Sequence, residues 1–202
     1  MHAVPPGRLM QAIHRSQNFL LSQRRPEGYW VGELEANTTL TSEYLLFRHL
    51  LGIVDEERQH KIVRHLLSQQ QPDGGWTLYY GGPSELSTTI EAYFAMRVAG
   101  VSPDDSAMQA ARQLIVQRGG VTKARVFTKI FLALFGQYDW RGIPVIPPEL
   151  IFLPPSFYIN IYEFSSWSRS VIIPLSIVFA KKPSCLLQPA CHVNALFVEP
   201  PG

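Results

Sequence analysis

The sequence predicts an all-α chain built from stacked helix pairs, and three observations carry that prediction. Apolar residues recur at helical spacing through the first 135 residues; a glutamine, glycine and tryptophan pattern returns after 46 residues; and nowhere does strand-like alternation reach comparable length. Taken in order, residues 1–34 are expected to hold an N-terminal helix and the first loop of the pattern. The apolar positions Leu40, Tyr44, Phe47 and Leu51 then mark one helix, and Ile62, Val63, Leu66 and Leu67 a second. A third runs through Leu86, Ile90, Tyr93 and Phe94, and another through Val126, Phe127, Ile130, Phe131 and Leu134. Each is expected to be amphipathic with one buried stripe. Helix starts are legible where Asp55-Glu56-Glu57 and Ser102-Pro103-Asp104-Asp105 place carboxylates against free N–H groups and the positive end of the helix dipole. Proline then changes the texture of the chain: six of 16 precede residue 144 and ten follow from Pro144 on, so irregular segments are expected after about residue 136.

The repeat gives the architecture its period. Gln23-Arg24-Arg25-Pro26-Glu27-Gly28-Tyr29-Trp30 returns as Gln69-Gln70-Gln71-Pro72-Asp73-Gly74-Gly75-Trp76, and a worn copy, Gln113 to Val121, lies 45 residues beyond Trp76 with valine in the tryptophan place. A period near 45 suits two helices and two loops. Glutamine near a helix end can bond exposed backbone groups, glycine permits a left-handed exit, and the indole packs over the turn while its N–H reaches a carbonyl. Gln23, Gly28 and Trp30, with Gln70, Gly74 and Trp76, are therefore expected to be structural staples.

Composition excludes several function classes. With 18 basic against 16 acidic residues, a net charge of +2 makes no case for nucleic acid. No run of 18 apolar residues occurs, and the most apolar stretch, residues 171–180, is interrupted by Pro174, so a membrane-spanning helix is not expected. The opening residues do not form a secretory signal. Cys185 and Cys191 both lie near the C-terminus and are expected to be free thiols. The histidines suggest no metal site, since His60 and His65 fall on different helix faces and no H-E-x-x-H is present.

The repeated Gln-x(3–5)-Gly-x-Trp pattern resembles the QW motif of squalene–hopene and oxidosqualene cyclases. Asn160-Ile161-Tyr162-Glu163-Phe164-Ser165-Ser166-Trp167-Ser168-Arg169 resembles the N-I-Y-E-F-x-S-W-x-R stretch of bacterial squalene–hopene cyclases, and Arg125 to Lys129 and the loop from Asp73 to Pro83 are similar to that family too. The resemblance covers about residues 8 to 183. It implies an incomplete α/α toroid of helix hairpins, with a partial barrel over residues 35–183 and a divergent irregular tail over 184–202. It further implies an isomerase that folds squalene or a similar polyene in a cavity and closes rings through carbocations, without a cofactor. The family's acid is the middle aspartate of a D-x-D-D motif, and no such motif occurs in these 202 residues. Asp104-Asp105, the sole adjacent pair, is read as a helix cap. The chain is thus expected to be an N-terminal fragment cut near residue 183, inactive without a C-terminal half. Peripheral contact with the cytoplasmic face of a membrane follows from family habit, and lack of zinc ligands separates the chain from the related prenyltransferase β subunits.

By the same resemblance Trp167 matches a cavity-lining tryptophan, whose electron-rich face would stabilise a carbocation without capturing it; the alternative is a core tryptophan. Glu43 and Glu91 follow the two clear repeats at similar distances and sit on apolar stripes, so they need partners. Arg125 is expected to pair with one of them. All three match polar residues lining the family's substrate passage or its water-linked walls; the alternative is a buried ion pair between repeats. A different class of function stays open beside the cyclase: a non-catalytic α/α scaffold that binds a lipid or protein partner through uncovered apolar faces.

Overall fold

A computed structural model describes residues 6–32, 36–185 and 187–198. The chain divides into two compact units, Met1–Glu35 and Ala36–Gly202. Residues 1–5, 33–35, 186 and 199–202, including Glu199, lie outside the described residues.

The first unit is α1 (Pro6–Ser22) and the loop after it. Pro6 opens the helix, where its missing N–H costs nothing. The loop turns back on itself through Gly28 N–H to the Arg25 carbonyl at 2.9 Å and Arg25 N–H to the Tyr29 carbonyl at 2.8 Å. The Trp30 indole N–H then donates to the Leu20 carbonyl at 2.6 Å, ten residues back.

The second unit contains α2 (Thr38–Leu50), α3 (Glu56–Ser68), α4 (Leu86–Val98), α5 (Ser106–Gln117), α6 (Val126–Leu134) and α7 (Ser166–Lys181). Among the described residues there is no strand, as the sequence predicts. Caps fix the starts: Asp55 accepts from Arg58 N–H at 3.1 Å, and Asp105 from Ala107 N–H at 2.9 Å, so the Asp104-Asp105 pair does cap a helix. The second repeat reproduces the first turn for turn. Gly74 N–H donates to the Gln71 carbonyl and Gln71 N–H to the Gly75 carbonyl, while the Trp76 indole donates to the Leu66 carbonyl at 2.7 Å. Gln70 adds a tie between hairpins, donating at 2.8 Å to both the Gly74 and Ala107 carbonyls. Gly74 has φ +88° and sits so close to α5 that a Cβ would lie 2.6 Å from the Ala110 carbonyl carbon, so only glycine fits. In the first copy Arg24 takes the place of Gln70, its guanidinium 5.7 Å from the Trp30 ring centre, and Gln23 lies exposed. In the worn copy Val121 is fully buried where the other repeats have tryptophan.

α4 is the centre of this unit. Every residue from Ser87 to Val98 is buried, so the helix has no solvent face and differs from the amphipathic reading of its sequence. α2, α5 and α6 cover it, and Leu45, Leu46, Leu66, Trp76, Met108 and Ile115 complete the core around it. Val193 and Leu196 of the C-terminal segment enter the same core. A second cluster joins Ile130, Ala133, Ile143 and Phe179, with Trp140 edge-on to Phe179 at 6.1 Å.

Two further expectations fail here. On α2 the buried side chains are Thr38, Ser42, Leu45 and Leu46, whereas the predicted stripe Leu40, Tyr44, Phe47 and Leu51 is 40–56% exposed. The helix has two apolar faces, and periodicity alone picked the one left uncovered. α7 also arises where irregular chain was expected. Ser165 caps it by accepting from Ser168 N–H at 3.2 Å, and the helix carries Pro174 in its interior. Proline removes one N–H bond to the carbonyl four residues back, a cost the flanking apolar residues offset by burying Ser176 and Phe179. No helix among the described residues is long and apolar enough to cross a membrane.

The two indole staples are buried unequally: Trp76 is 0% exposed and Trp30 is 51% exposed. Trp76→Ala is therefore expected to cost about 3–5 kcal/mol in chemical denaturation of the chain, the range for emptying a packed aromatic site. Trp30→Ala is expected to cost about 1 kcal/mol, one hydrogen bond.

Candidate functional site

The side chains that sequence reasoning singled out separate into one cluster and one outlier. Glu91 lies in the middle of α4 and is 2% exposed. One of its oxygens, Oε1, accepts from the Thr128 hydroxyl on α6, and the other, Oε2, is buried without a hydrogen-bond partner. Glu43, half-buried on α2, and Arg125, the residue before α6, stand near enough to act on it electrostatically. Burial pushes the Glu91 carboxyl up to about 7; Thr128 and Arg125 oppose the rise and the Glu43 charge adds to it. Glu43 is raised too, by burial, against the pull of Arg125.

Arg125 does not take either predicted partner as an ion pair. Its guanidinium pairs with Glu85, Nη2 to Oε2 at 3.6 Å, and its backbone N–H donates to Ser87 Oγ at 2.9 Å. Glu85 is the N-cap of α4, accepting from Thr88 N–H at 2.7 Å and from the Thr88 hydroxyl at 2.9 Å. The Thr88 hydroxyl also lies 3.2 Å from that of Thr39 on α2, which links α2 to α4 through hydroxyl groups. Burial opposes ionisation of Glu85, but the hydrogen bonds from Thr88 and Ser87 outweigh it and hold this carboxyl below the usual range. Sequence reasoning missed Glu85, Thr88 and Thr128. Glu85 had a signal, since it immediately precedes the apolar run of α4 in the place a capping acceptor occupies.

One helix thus carries two carboxyl groups six residues apart with opposite character, Glu85 ionised and Glu91 neutral into the neutral range. Environments that separate two carboxyls in this way suit a site that holds or exchanges a proton.

Trp167 stands apart. It occupies the first turn of α7, its carbonyl accepting from Ser170 Oγ at 2.6 Å, and the residue is 77% exposed. It is neither a core tryptophan nor enclosed by the described residues. An open groove of about 430 Å³ lined by Gln137, Tyr138, Asp139, Arg141, Asn194 and Phe197 contains none of the predicted site residues. No three His, Cys, Asp or Glu side chains among the described residues are grouped to hold a metal ion.

Comparison with known proteins decides what family this helical unit represents. The profile of the squalene-hopene cyclase N-terminal domain matches residues 13–202. The chain belongs to the squalene-hopene cyclase family. Its match runs past Pro183, where the sequence alone ended the resemblance, and takes in the C-terminal segment that packs into the core. The chain is 47% identical over 194 residues to dammaradiene synthase of Dryopteris crassirhizoma, covering 96% of this chain and 28% of that protein. It is 44% identical over 187 residues to the squalene–hopene cyclase of Alicyclobacillus acidocaldarius, covering 93% and 30%. A squalene–hopene cyclase of Zymomonas mobilis is 42% identical, covering 92% and 28%. The chain spans under a third of the length of these curated relatives.

The neutral state of Glu91 makes stability depend on pH with a definite sign. Because the folded carboxyl titrates at about 7 and the unfolded one at 4.5, its contribution is complete below pH 4.5 and lost as pH rises through 7. Between pH 5 and pH 8 the native protein is expected to lose about 2.5 kcal/mol in denaturant unfolding that Glu91→Gln does not lose. Equal losses in both proteins would mean that Glu91 is ionised in the fold.

Proposed function

We propose that this chain forms the N-terminal wall of a triterpene cyclase that closes squalene or a similar polyene into rings through carbocations. The family match over residues 13–202, which contains Glu43, Glu91, Arg125 and Trp167 together, carries this reading. In it, helix hairpins tied by the Gln-Gly-Trp staples build one part of an α/α barrel, and the barrel is completed by chain that supplies the initiating acid. Trp167 presents a free π face, the kind of surface that attracts a cation by about 2 kcal/mol once water is excluded. Glu91 keeps a neutral carboxyl on the inner helix and Arg125, balanced by Glu85, keeps the local charge near zero. A dry wall without a nucleophile is what a carbocation needs to survive until the last ring closes. Peripheral contact with the cytoplasmic face of a membrane, from which an apolar polyene would be drawn, belongs to the same proposal.

A second reading, a non-catalytic scaffold for a lipid or protein partner, draws on the uncovered stripe of Leu40, Tyr44, Phe47 and Leu51. A chimera separates the two. Residues 13–202 are placed in the Alicyclobacillus cyclase in place of its matching segment, and the folded chimera is incubated with squalene. Cyclised product in the lipid extract is expected, and a folded chimera with none would overturn the cyclase reading in favour of the scaffold. In the active chimera Trp167→Ala is expected to lower kcat roughly thirtyfold, the loss of one cation–π contact of about 2 kcal/mol. The chain alone is expected to yield no pentacyclic product, because it carries no D-x-D-D acid.

A further inference from the structure

α4 buries a second ionisable side chain besides Glu91. Arg97, in its last turn, is 7% exposed, and no carboxylate among the described residues lies within ion-pair distance. Its guanidinium donates instead to two backbone carbonyls, that of Val101 just past the helix and that of Ala190, 93 residues on, while Nε has no partner. Burying a guanidinium against carbonyls alone is costly, and a methionine would fill the same volume without that cost. The negative end of the α4 dipole offsets part of it. What the arginine adds is direction, since its rigid fork can engage two carbonyls only when both stand in fixed places.

The chain that Arg97 reaches is the stretch returning from α7. Cys185 N–H donates to the Leu134 carbonyl at the end of α6 at 2.7 Å, and Val193 N–H donates to Gln137 Oε1 at 3.1 Å. Val193 and Leu196 are 1% and 0% exposed in the α4 core. Leu196 passes so near the worn repeat that a Cβ on Gly120 would lie 2.6 Å from its carbonyl oxygen. We infer that residues 187–198 form a strap set in register by Arg97, which locks the exit of α7 onto the helix that carries Glu91. Val193 and Leu196 provide the attraction, which is non-directional, and Arg97 selects the one register in which Ala190 meets its fork. Arg97 is on this account a positioning residue for the wall as a whole.

Hydrogen exchange on the full chain tests this, because it reads the strap and the helix separately. In Arg97→Met the Val193 amide is expected to exchange roughly tenfold faster, the loss of one hydrogen bond to a charged group, while amides of α4 keep their protection. Arg97→Lys, whose ammonium lacks the fork, is expected to fall between Met and the parent. Unchanged exchange at Val193 in Arg97→Met would overturn the inference, and so would equal acceleration along α4, the mark of a merely structural arginine. If Arg97→Met does not fold, Arg97→Lys carries the test with the same two readouts: faster exchange confined to the strap supports it, and no difference, or a difference shared with α4, overturns it.

Discussion

The second unit is organised by the need to cover a helix that turns no face to solvent. α4 hides every residue from Ser87 to Val98, so it cannot exist except between neighbours, and α2, α5, α6 and the C-terminal strap are each placed by the surface of α4 that they close. The Gln-Gly-Trp turns make this possible at short range. Each returns the chain through a left-handed glycine and pins the turn by an indole N–H on a carbonyl ten residues back. The cost of total burial appears at the polar positions of α4. Glu91 answers it by staying neutral, and Arg97 by donating to one carbonyl just past the helix and one on distant chain.

Glu85 and Glu91 show how one helix can hold two oppositely behaved carboxyls. At the N-terminus, free N–H groups and the Thr88 hydroxyl surround Glu85 and make the anion cheap; Arg125 then settles beside it. Two turns further in, every backbone donor is already spent on the helix, and Glu91 finds one hydroxyl and a half-buried glutamate. The contrast needs no special residue. It follows from position along the helix.

Much of the fold was legible in the sequence because it is written in local signals. Asp55 and Asp105 announce their helices, and the repeat of Trp30 and Trp76 sets the hairpin period. What escaped depends on tertiary partners. The stripe on α2 was visible but not which of two apolar faces would be covered, and α4 reads as amphipathic until its neighbours are seen on all sides. α7 was hidden by Pro174, since the rule against proline inside a helix is an energetic preference that packing around Phe179 overrides. At the site, Glu43 and Glu91 stand out as acids on apolar stripes, and Arg125 as a cation nearby. Its choice of Glu85 could not be read, because Glu85 earns its charge from a helix end that only the folded backbone defines.

Pro174 has a mechanical consequence for the residue that faces solvent at the start of α7. The proline has no N–H to give the Ser170 carbonyl, and this gap falls between the half of α7 that buries Ser176 and Phe179 and the more exposed half that carries Trp167. The solvent-facing indole and the buried base of α7 therefore sit on opposite sides of the one turn of that helix from which a backbone hydrogen bond is missing.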